Sequence, residues 1–234
     1  MSSKSVHERS DRRAAAGENR LPPACAVVVA VVVYALLPSA VLITNRLIVP
    51  GVEVLLLIAL LVTNPKRMTR QTRWSRSASI ALAMLLILTN LVALGLLVSQ
   101  ITNGESGGDL LVAAMQIWLT NVIGFGLLYW ELDRGGPVVR REAARPDLPD
   151  ADWRFSQDEN DDAVIEVSRG SSMKSGWIPI FVDYLYLSLT NSSAFSPTDT
   201  MPLTSRAKML MGVQATAALL TTLVVVAFAV GSLP

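Results

Sequence analysis

Long runs of apolar residues are the feature of this sequence that most restricts its fold. Residues 54–62 are nine apolar side chains in a row, and residues 27–33 contain no polar side chain. A helix without a polar face cannot lie on the surface of a soluble protein. Only 17% of the 234 residues are charged, against about 25% in soluble domains. Together these features predict an integral membrane protein.

The apolar runs predict an all-α, polytopic integral membrane helical bundle with five clear spans and one short, pore-helix-like segment. The predicted spans are residues 22–43, 47–63, 80–101, 110–132 and 205–230. Basic residues precede the first run, as they do in a secretory signal, but its length and the later spans favour an uncleaved span. The short segment is predicted as a helix over 178–192. It has too few residues for an untilted span, which needs about 20.

The chain is expected to divide into four regions. These are a disordered polar tail (1–20), a four-span bundle (21–133), a charged cytoplasmic loop (134–176), and a C-terminal region with the short helix, a polar loop and the last span (177–234). The loop carries nine acidic and seven basic residues, which is typical of a solvated surface. Its apolar stretch at residues 164–167 predicts one β-hairpin.

The distribution of basic residues predicts the orientation. The N-terminal tail and residues 64–79 each carry five Lys or Arg, whereas residues 44–46 carry one and residues 102–109 carry none. Basic residues concentrate in cytoplasmic loops. We therefore expect a multi-pass protein of the cell membrane, such as a bacterial inner membrane, with the N terminus in the cytoplasm.

The sequence gives no positive argument for catalysis. Its one cysteine, Cys25, and its one histidine, His7, lie in different environments, so neither a metal cluster nor a Cys–His pair is expected. A net charge of +1 gives no indication of nucleic-acid binding. We expect no enzyme, no cofactor and no nucleic-acid partner. The lipid bilayer is the expected partner, and a homo-oligomer, an ion or a small solute is compatible with the sequence.

Polar side chains in and beside the predicted spans are the candidates for a function. An ionisable group in a membrane needs a partner or water, so we expect Glu53 to face the bundle interior or water. The alternative is helix–helix hydrogen bonding at about 0.6 kcal/mol per bond, which we favour for the amides and leave open for Glu53. The candidates for a polar path or pore loop are Glu53, Asn90, Gln116, Asn121, Asp183, Ser188, Thr190, Asp199, Arg206 and Gln214.

Residues 181–231 carry a recognisable pattern. An aromatic D-x-x-Y-x-S segment is followed by a short T-S-D-like loop, by a V-T-S-R-like sequence and by the last span. The matching residues are Asp183, Tyr186, Ser188, Thr198, Asp199, Thr204, Ser205 and Arg206. This stretch resembles the C-terminal segment of a family of small bacterial membrane proteins defined only as a domain of unknown function. The earlier spans agree with that family in number and order, and Glu53 falls where the family tends to have an acid.

The same stretch resembles the pore region of two-span potassium channels, where a pore helix leads into T-V-G-Y-G-D, then P-x-T and R, then the inner helix. Pro202, Thr204 and Arg206 keep the end of that pattern. The filter is missing, because residues 191–198 read NSSAFSPT and contain no glycine. A carbonyl-lined filter uses glycines to point its carbonyls at the ion. Potassium selectivity is therefore not implied.

The loop at residues 191–206 is expected to be ordered, because irregular backbone near a membrane persists only where its polar groups are satisfied. Thr204 or Ser205 can cap the last span, and Asp199 is placed to pair with Arg206. Residues 177–194 either cross the membrane or re-enter from the cytoplasmic side. We favour crossing, because it places both termini in the cytoplasm.

These features predict a channel-like or transporter-like membrane protein with a degenerate pore loop and an unidentified substrate. The alternative is a non-transporting scaffold or regulator that acts through its charged cytoplasmic loop. The polar residues inside the spans favour transport, and the length and charge of the 134–176 loop favour the alternative.

Overall fold

The computed structural model describes residues 17–42, 44–63, 67–68, 72–103, 108–193 and 199–231. This part of the chain is mostly helical. Its helices are α1 (Leu21–Ala35), α2 (Ile48–Thr63), α3 (Arg73–Thr102), α4 (Gly108–Leu132), α5 (Pro137–Glu142), α6 (Ile165–Ser168), α7 (Ser172–Ser175), α8 (Phe181–Ser193) and α9 (Ser205–Gly231). Four two-residue strands form two antiparallel pairs, β1 (Glu18–Asn19) with β2 (Arg67–Met68), and β3 (Trp153–Arg154) with β4 (Met201–Pro202).

Three helices are long and apolar enough to cross a membrane, at Arg73–Thr102, Gly108–Gly135 and Ser205–Phe228. They support a membrane-embedded protein. The first two apolar helices, α1 and α2, have only 15 and 16 residues. At about 1.5 Å per residue they are some 7 Å shorter than a hydrocarbon core of about 30 Å. The prediction of five clear spans is therefore not confirmed. The first predicted span ends early because Pro38 and a 3₁₀ turn at Ser39–Val41 follow α1.

The central helix of the bundle is α4, which packs against α1, α3, α8 and α9. Two of its glycines are sites of close approach. A Cβ added to Gly124 would lie 3.0 Å from Ile87 Cγ1 of α3, and one added to Gly126 would lie 3.2 Å from Leu185 Cα of α8. Small residues let the backbones of membrane helices approach closely. These two positions bring α3 and α8 against α4.

One end of the bundle, called here the basal end, is where α4 ends and where α8 and α9 begin. The Glu18 carboxylate of β1 accepts hydrogen bonds from Trp130 Nε1 of α4 at 3.0 Å and from the Phe181 backbone N–H of α8 at 2.8 Å. Arg206 of α9 donates to the Leu132 carbonyl at the end of α4 at 3.4 Å. The basal end thus joins the first described strand to three helices.

Helix α8 extends from the basal end into the bundle beside α9. Phe181 lies at the basal end, whereas Asn191 near the other end of α8 donates through Nδ2 to the Met211 carbonyl of α9 at 3.1 Å. The starts of both helices are basal, so α8 and α9 run in the same direction. With 13 residues, α8 is about 20 Å long.

After α8 the chain returns to the basal end. Residues 194–198 lie outside the described residues, but Met201–Pro202 pair with Trp153–Arg154, and Arg206 contacts the end of α4. The favoured prediction that residues 177–194 cross the membrane is therefore wrong. The helix is too short to cross, and both of its flanks are anchored at one end. Only α9 continues from there, so it carries the chain away from the basal end.

The composition of the charged segment 134–176 predicts a solvated loop, but the structure packs part of this segment against the bundle. Trp153 is fully buried, and its ring centroid lies 4.7 Å from that of Tyr129 on α4. Phe155 is also buried and meets the ring of Tyr184 on α8 edge-on at 5.3 Å. Burial of these large rings fixes the segment against the basal end of the bundle, because aromatic side chains bury more apolar area than most others.

Two local predictions differ from the structure for related reasons. The apolar stretch predicted as a hairpin at 164–167 is part of the helical turn α6, since four residues are too few to form two paired strands. The tail predicted as disordered over 1–20 is ordered from residue 17, where β1 pairs with β2 and Glu18 is buried. Residues 1–16 lie outside the described residues.

Candidate functional site

Gln214 of α9 is the centre of a buried polar network. Its Oε1 accepts hydrogen bonds from the Tyr129 hydroxyl at 2.6 Å and from Asn191 Nδ2 at 2.9 Å. Its Nε2 donates to the Ser188 carbonyl at 2.9 Å, the Ser188 hydroxyl at 2.6 Å and the Ser192 hydroxyl at 2.8 Å. We call these five residues the amide hub. They come from α4, α8 and α9.

The amide hub holds α8 between α4 and α9. The Ser188 hydroxyl donates to the Val122 carbonyl of α4 at 2.6 Å, and Asn121 Nδ2 of α4 donates to the Gln214 carbonyl at 3.4 Å. Both polar atoms of the Gln214 side chain are occupied, and a saturated amide has no free ligand for a solute. For Gln214 and Ser188 the geometry therefore favours helix–helix hydrogen bonding.

A second polar contact joins α3 to α4. Asn90 Nδ2 donates to Thr120 Oγ1 at 2.5 Å and to the Ile117 carbonyl at 2.7 Å, and Thr120 donates to the Gln116 carbonyl at 2.9 Å. Three side-chain amide oxygens remain buried without a hydrogen-bond partner among the described residues, and they belong to Asn90, Gln116 and Asn121. Such atoms are uncommon in folded proteins, because each loses its hydration without a replacement.

Glu53 of α2 lies apart from both networks. Its side chain is 0% exposed, and neither carboxylate oxygen has a hydrogen-bond partner in the described part of the chain. The side chain faces the bundle interior, as the sequence predicted. Whether it belongs to a polar path stays a prediction.

An ionic cluster that the sequence did not reveal lies at the basal end. Arg140 is fully buried and donates to the carbonyls of Trp130, Asp133 and Pro179 at 3.1, 2.9 and 3.2 Å. Its Nη2 lies 3.7 Å from Glu18 Oε2. Burial raises the pKa of Glu18 above its ordinary value, although the Arg140 charge opposes this. The cluster fixes the first strand, α5 and the approach to α8 in one place.

Arg206 pairs with a different acid from the one expected. Its Nε donates to both carboxylate oxygens of Asp152, at 2.9 and 3.1 Å, and the Thr204 hydroxyl donates to Asp152 Oδ1 at 2.5 Å. The predicted pairing with Asp199 is therefore wrong, because Asp152 is a buried carboxylate that needs a counter-charge whereas Asp199 is exposed. Thr204 also accepts from the Ala207 backbone N–H at 3.2 Å, which confirms it as a cap of α9.

A third ionic contact folds the 134–176 segment onto itself. Asp158 accepts from Arg134 Nη2 at 2.7 Å and from the Ser172 hydroxyl at 2.6 Å. Burial raises the pKa of Asp158, but these two partners outweigh burial, and the pKa lies below its ordinary value. The carboxylate is therefore held in its charged form.

An open cavity of about 270 Å³ lies at the C-terminal end of α8, called here its inner end, beside the exposed side chains of Ser193 and Thr216. Its lining consists of Asn191, Ser192, Ser193, Ala215, Thr216, Leu219 and Thr222. The hydroxyls of Ser193, Thr216 and Thr222 each donate their hydrogen to a carbonyl of their own helix, which leaves the oxygen lone pairs available as ligands. The C-terminal end of α8 adds the partial negative charge of its last carbonyls. These features together suit a cation.

The predicted site residues separate into distinct groups. Asn121, Ser188 and Gln214 meet in or beside the amide hub, while Asn90 and Gln116 lie at the α3–α4 contact. Asp183 accepts from the Ile180 backbone N–H at 2.7 Å and belongs to the start of α8, and the Thr190 hydroxyl donates to a carbonyl of its own helix. Glu53, Asp199 and Arg206 join neither group. The hub residues Tyr129, Asn191 and Ser192 are not among the predicted site residues, although all three lie within the predicted spans or the predicted short helix.

The described residues contain no cluster of His, Cys, Asp and Glu placed to hold a metal ion. The similarity of residues 181–231 to an uncharacterised bacterial family and to potassium-channel pore regions stays a prediction. Comparisons with protein-family models, with curated proteins and with solved structures find no match for this chain.

Proposed function

We propose that the chain is a membrane transport protein, channel-like or transporter-like, that moves a small cation past the inner end of α8. The observation that carries the proposal is the cavity at that end. It combines hydroxyl oxygens from Ser193, Thr216 and Thr222 with the carbonyl end of α8, a helix that stops part-way along α9.

A helix that ends at membrane depth costs free energy, because its last carbonyls need new partners, and a simple scaffold can avoid this cost. Its last carbonyls lack intrahelical partners, and such backbone persists at membrane depth only inside protein or beside a water-filled cavity. In transporters with interrupted helices, the C-terminal ends of half-helices bind cations. The geometry of α8 supports a site of that kind.

The amide hub supports this site rather than forming it. Both polar atoms of the Gln214 side chain are occupied, so this residue fixes α8 at a set depth beside α9. Since the sequence lacks a glycine filter, we expect a route without potassium selectivity. We assign the basal end to the cytoplasm, because Arg67, Arg73 and Arg76 come from the basic segment that precedes or begins α3.

The test is cation flux through the purified full chain in liposomes. We expect flux above that of protein-free liposomes, and about a tenfold loss in the double variant Ser193→Ala, Thr216→Val, since two ligand oxygens contribute roughly 1.4 kcal/mol. Thr190→Val is the matched control, because this hydroxyl has the same bonding on α8 but does not line the cavity. Flux equal to that of empty liposomes, or equal in all variants, contradicts the proposal.

A second candidate function is the scaffold or regulator. It is favoured by exposed apolar side chains on the 134–176 segment, where Val164, Ile165 and Met173 are 62%, 68% and 68% exposed. Where such side chains are contiguous, they mark protein contacts. A photo-crosslinker at residue 165 should give one adduct of defined mass in cells that is lost in Met173→Ser, whereas one at the exposed Asp150 should give none. Equal adducts at both positions contradict this function.

A further inference from the structure

Glu53 is a buried carboxyl group that takes no part in the cation route proposed past the inner end of α8. It lies on α2, which packs against α1 and α3, while the cavity at the end of α8 is formed by α8 and α9. The Glu53 side chain is 0% exposed, and both its oxygens lack a hydrogen-bond partner within the described ranges. A polar group buried in this way needs a reason other than packing.

The ionisable groups on the helices around Glu53 do not neutralise it. On α1 these are Cys25, which is exposed, and Tyr34, whose phenol lies within electrostatic range of Glu53. On α3 they are Arg73 and Arg76, both in the first turn at the basal end. None of these groups forms an ion pair with Glu53 among the described residues.

A carboxylate in this setting is more stable with a proton than with a charge. Transfer of an isolated ionised carboxylate into an apolar interior costs far more than transfer of the neutral acid. No counter-charge reduces that cost, since a buried charge is tolerated only when it is paired. The neutral acid is therefore the favoured form of Glu53 in these surroundings.

A small cavity lies between the neighbourhood of Glu53 and the basal end, although Glu53 itself does not line it. It has a volume of about 30 Å³ and is lined on the α2 side by Leu57 and Leu60. These are the next buried residues of α2 after Glu53 and lie on the same face, with Leu57 about 6 Å along the helix. On the basal side the lining includes the polar residues Arg20 and Glu131.

The cavity is large enough for a water molecule. A water needs at least about 10–15 Å³ and two to four polar partners, and Arg20, Ser79 and Glu131 supply such partners. A proton can pass along a chain of hydrogen-bonded water and carboxyl groups. The remaining distance to Glu53 is about one helical turn on α2.

We propose that Glu53 is a proton-binding site that exchanges its proton with the basal side through this cavity, with Glu131 between the cavity and the basal surface. On binding, a carboxylate oxygen of Glu53 forms an O–H bond with a proton delivered by water, and on release the bond electrons return to that oxygen. The site lies on different helices from the cation route, so this inference stands even if the chain moves no cation.

Infrared spectroscopy of the reconstituted full chain tests the protonation. At neutral pH we expect a carbonyl band of a protonated carboxylic acid that is missing in Glu53→Gln. The difference between the two spectra isolates Glu53 from Glu131. Thermal unfolding of Glu53→Gln should occur at the wild-type temperature, since a neutral amide replaces a neutral acid. An identical carbonyl region in both proteins would overturn the proposal.

Transfer to D₂O tests the route. The Glu53 band should shift as its proton exchanges, and filling the cavity with Ala83→Val should slow this shift by about tenfold, which corresponds to about 1.4 kcal/mol of added barrier. Ala24 lines the same cavity from α1, so Ala24→Val is the second cavity-filling variant if Ala83→Val does not fold. Ala78→Val on α3 is the matched control, because it does not line the cavity. An exchange rate unchanged by filling overturns the route.

Discussion

Replacement of Gln214 by leucine tests whether the amide hub holds α8 in the bundle. The side chain has five polar contacts, but its amide has only two N–H groups, so about four hydrogen bonds exist at once. At about 0.6 kcal/mol for each hydrogen bond inside a membrane protein, the loss is about 2.4 kcal/mol. Leucine offers little compensation, because lipid is as apolar as its side chain.

The partners left behind increase that loss. The Tyr129 hydroxyl and the Ser188 side chain are fully buried, and a buried group without a partner costs about 1–3 kcal/mol. We therefore expect Gln214→Leu to lower the free energy of unfolding by about 3 kcal/mol. Reversible unfolding by a denaturing detergent in mixed micelles measures this quantity.

The matched control for this substitution is Gln100→Leu. Gln100 is a partly exposed glutamine of α3 whose Nε2 makes one hydrogen bond of 3.3 Å, to the Ala40 carbonyl. Its loss should change the free energy of unfolding by less than about 1 kcal/mol. If Gln214→Leu is no more destabilising than Gln100→Leu, the hub does not carry the stability assigned to it.

Three further outcomes follow from the basal end. In detergent unfolding, Arg206→Gln should destabilise the protein by about 3 kcal/mol and Asp152→Asn by about 1 kcal/mol. The first variant leaves the Asp152 carboxylate, which is 1% exposed, without its counter-charge, whereas the second leaves Arg206, which is 55% exposed. The reverse order contradicts this. With the native cysteine replaced, an impermeant thiol reagent applied outside intact cells should label a cysteine at Ser106 but not one at Asp199, and labelling of both contradicts the return of the chain to the basal end. Burial raises the pKa of Asp158, but its arginine and serine partners lower the pKa by more, so the net pKa is lowered. The contribution of Asp158 to folding stability is therefore present above about pH 4 and is lost as the pH falls through the folded-state pKa. Asp158→Asn should make the unfolding temperature fall less steeply with acid than in the wild type, and an equally steep fall refutes this.

The long apolar runs were sufficient to locate the membrane helices, because burial of a 20-residue apolar stretch depends little on its neighbours. Helices α3, α4 and α9 appear close to where the hydropathy predicts them. The lengths of α1 and α2 were less predictable, since a turn such as Ser39–Val41 takes apolar residues out of the helix without changing the hydropathy of the run.

The basal end could not be predicted from local sequence. Arg206 pairs with Asp152, 54 residues away, although Asp199 is much closer along the chain. The choice between these acids depends on which of them the fold buries. Trp153 and Phe155 were the available signal, because large aromatic side chains inside an otherwise charged stretch indicate a packed segment rather than a solvated one.

The hydrogen bond between Glu18 and the Phe181 backbone N–H also has a consequence for the order of assembly. The two residues are 163 positions apart, so the ribosome makes Glu18 long before it makes its partner. Until α8 emerges, the Glu18 carboxylate lacks one of its two hydrogen-bond donors, the Phe181 backbone N–H, although the other, Trp130 Nε1, has already been made. Closure of the bundle base is therefore a late step, completed only when nearly four-fifths of the chain has been synthesised.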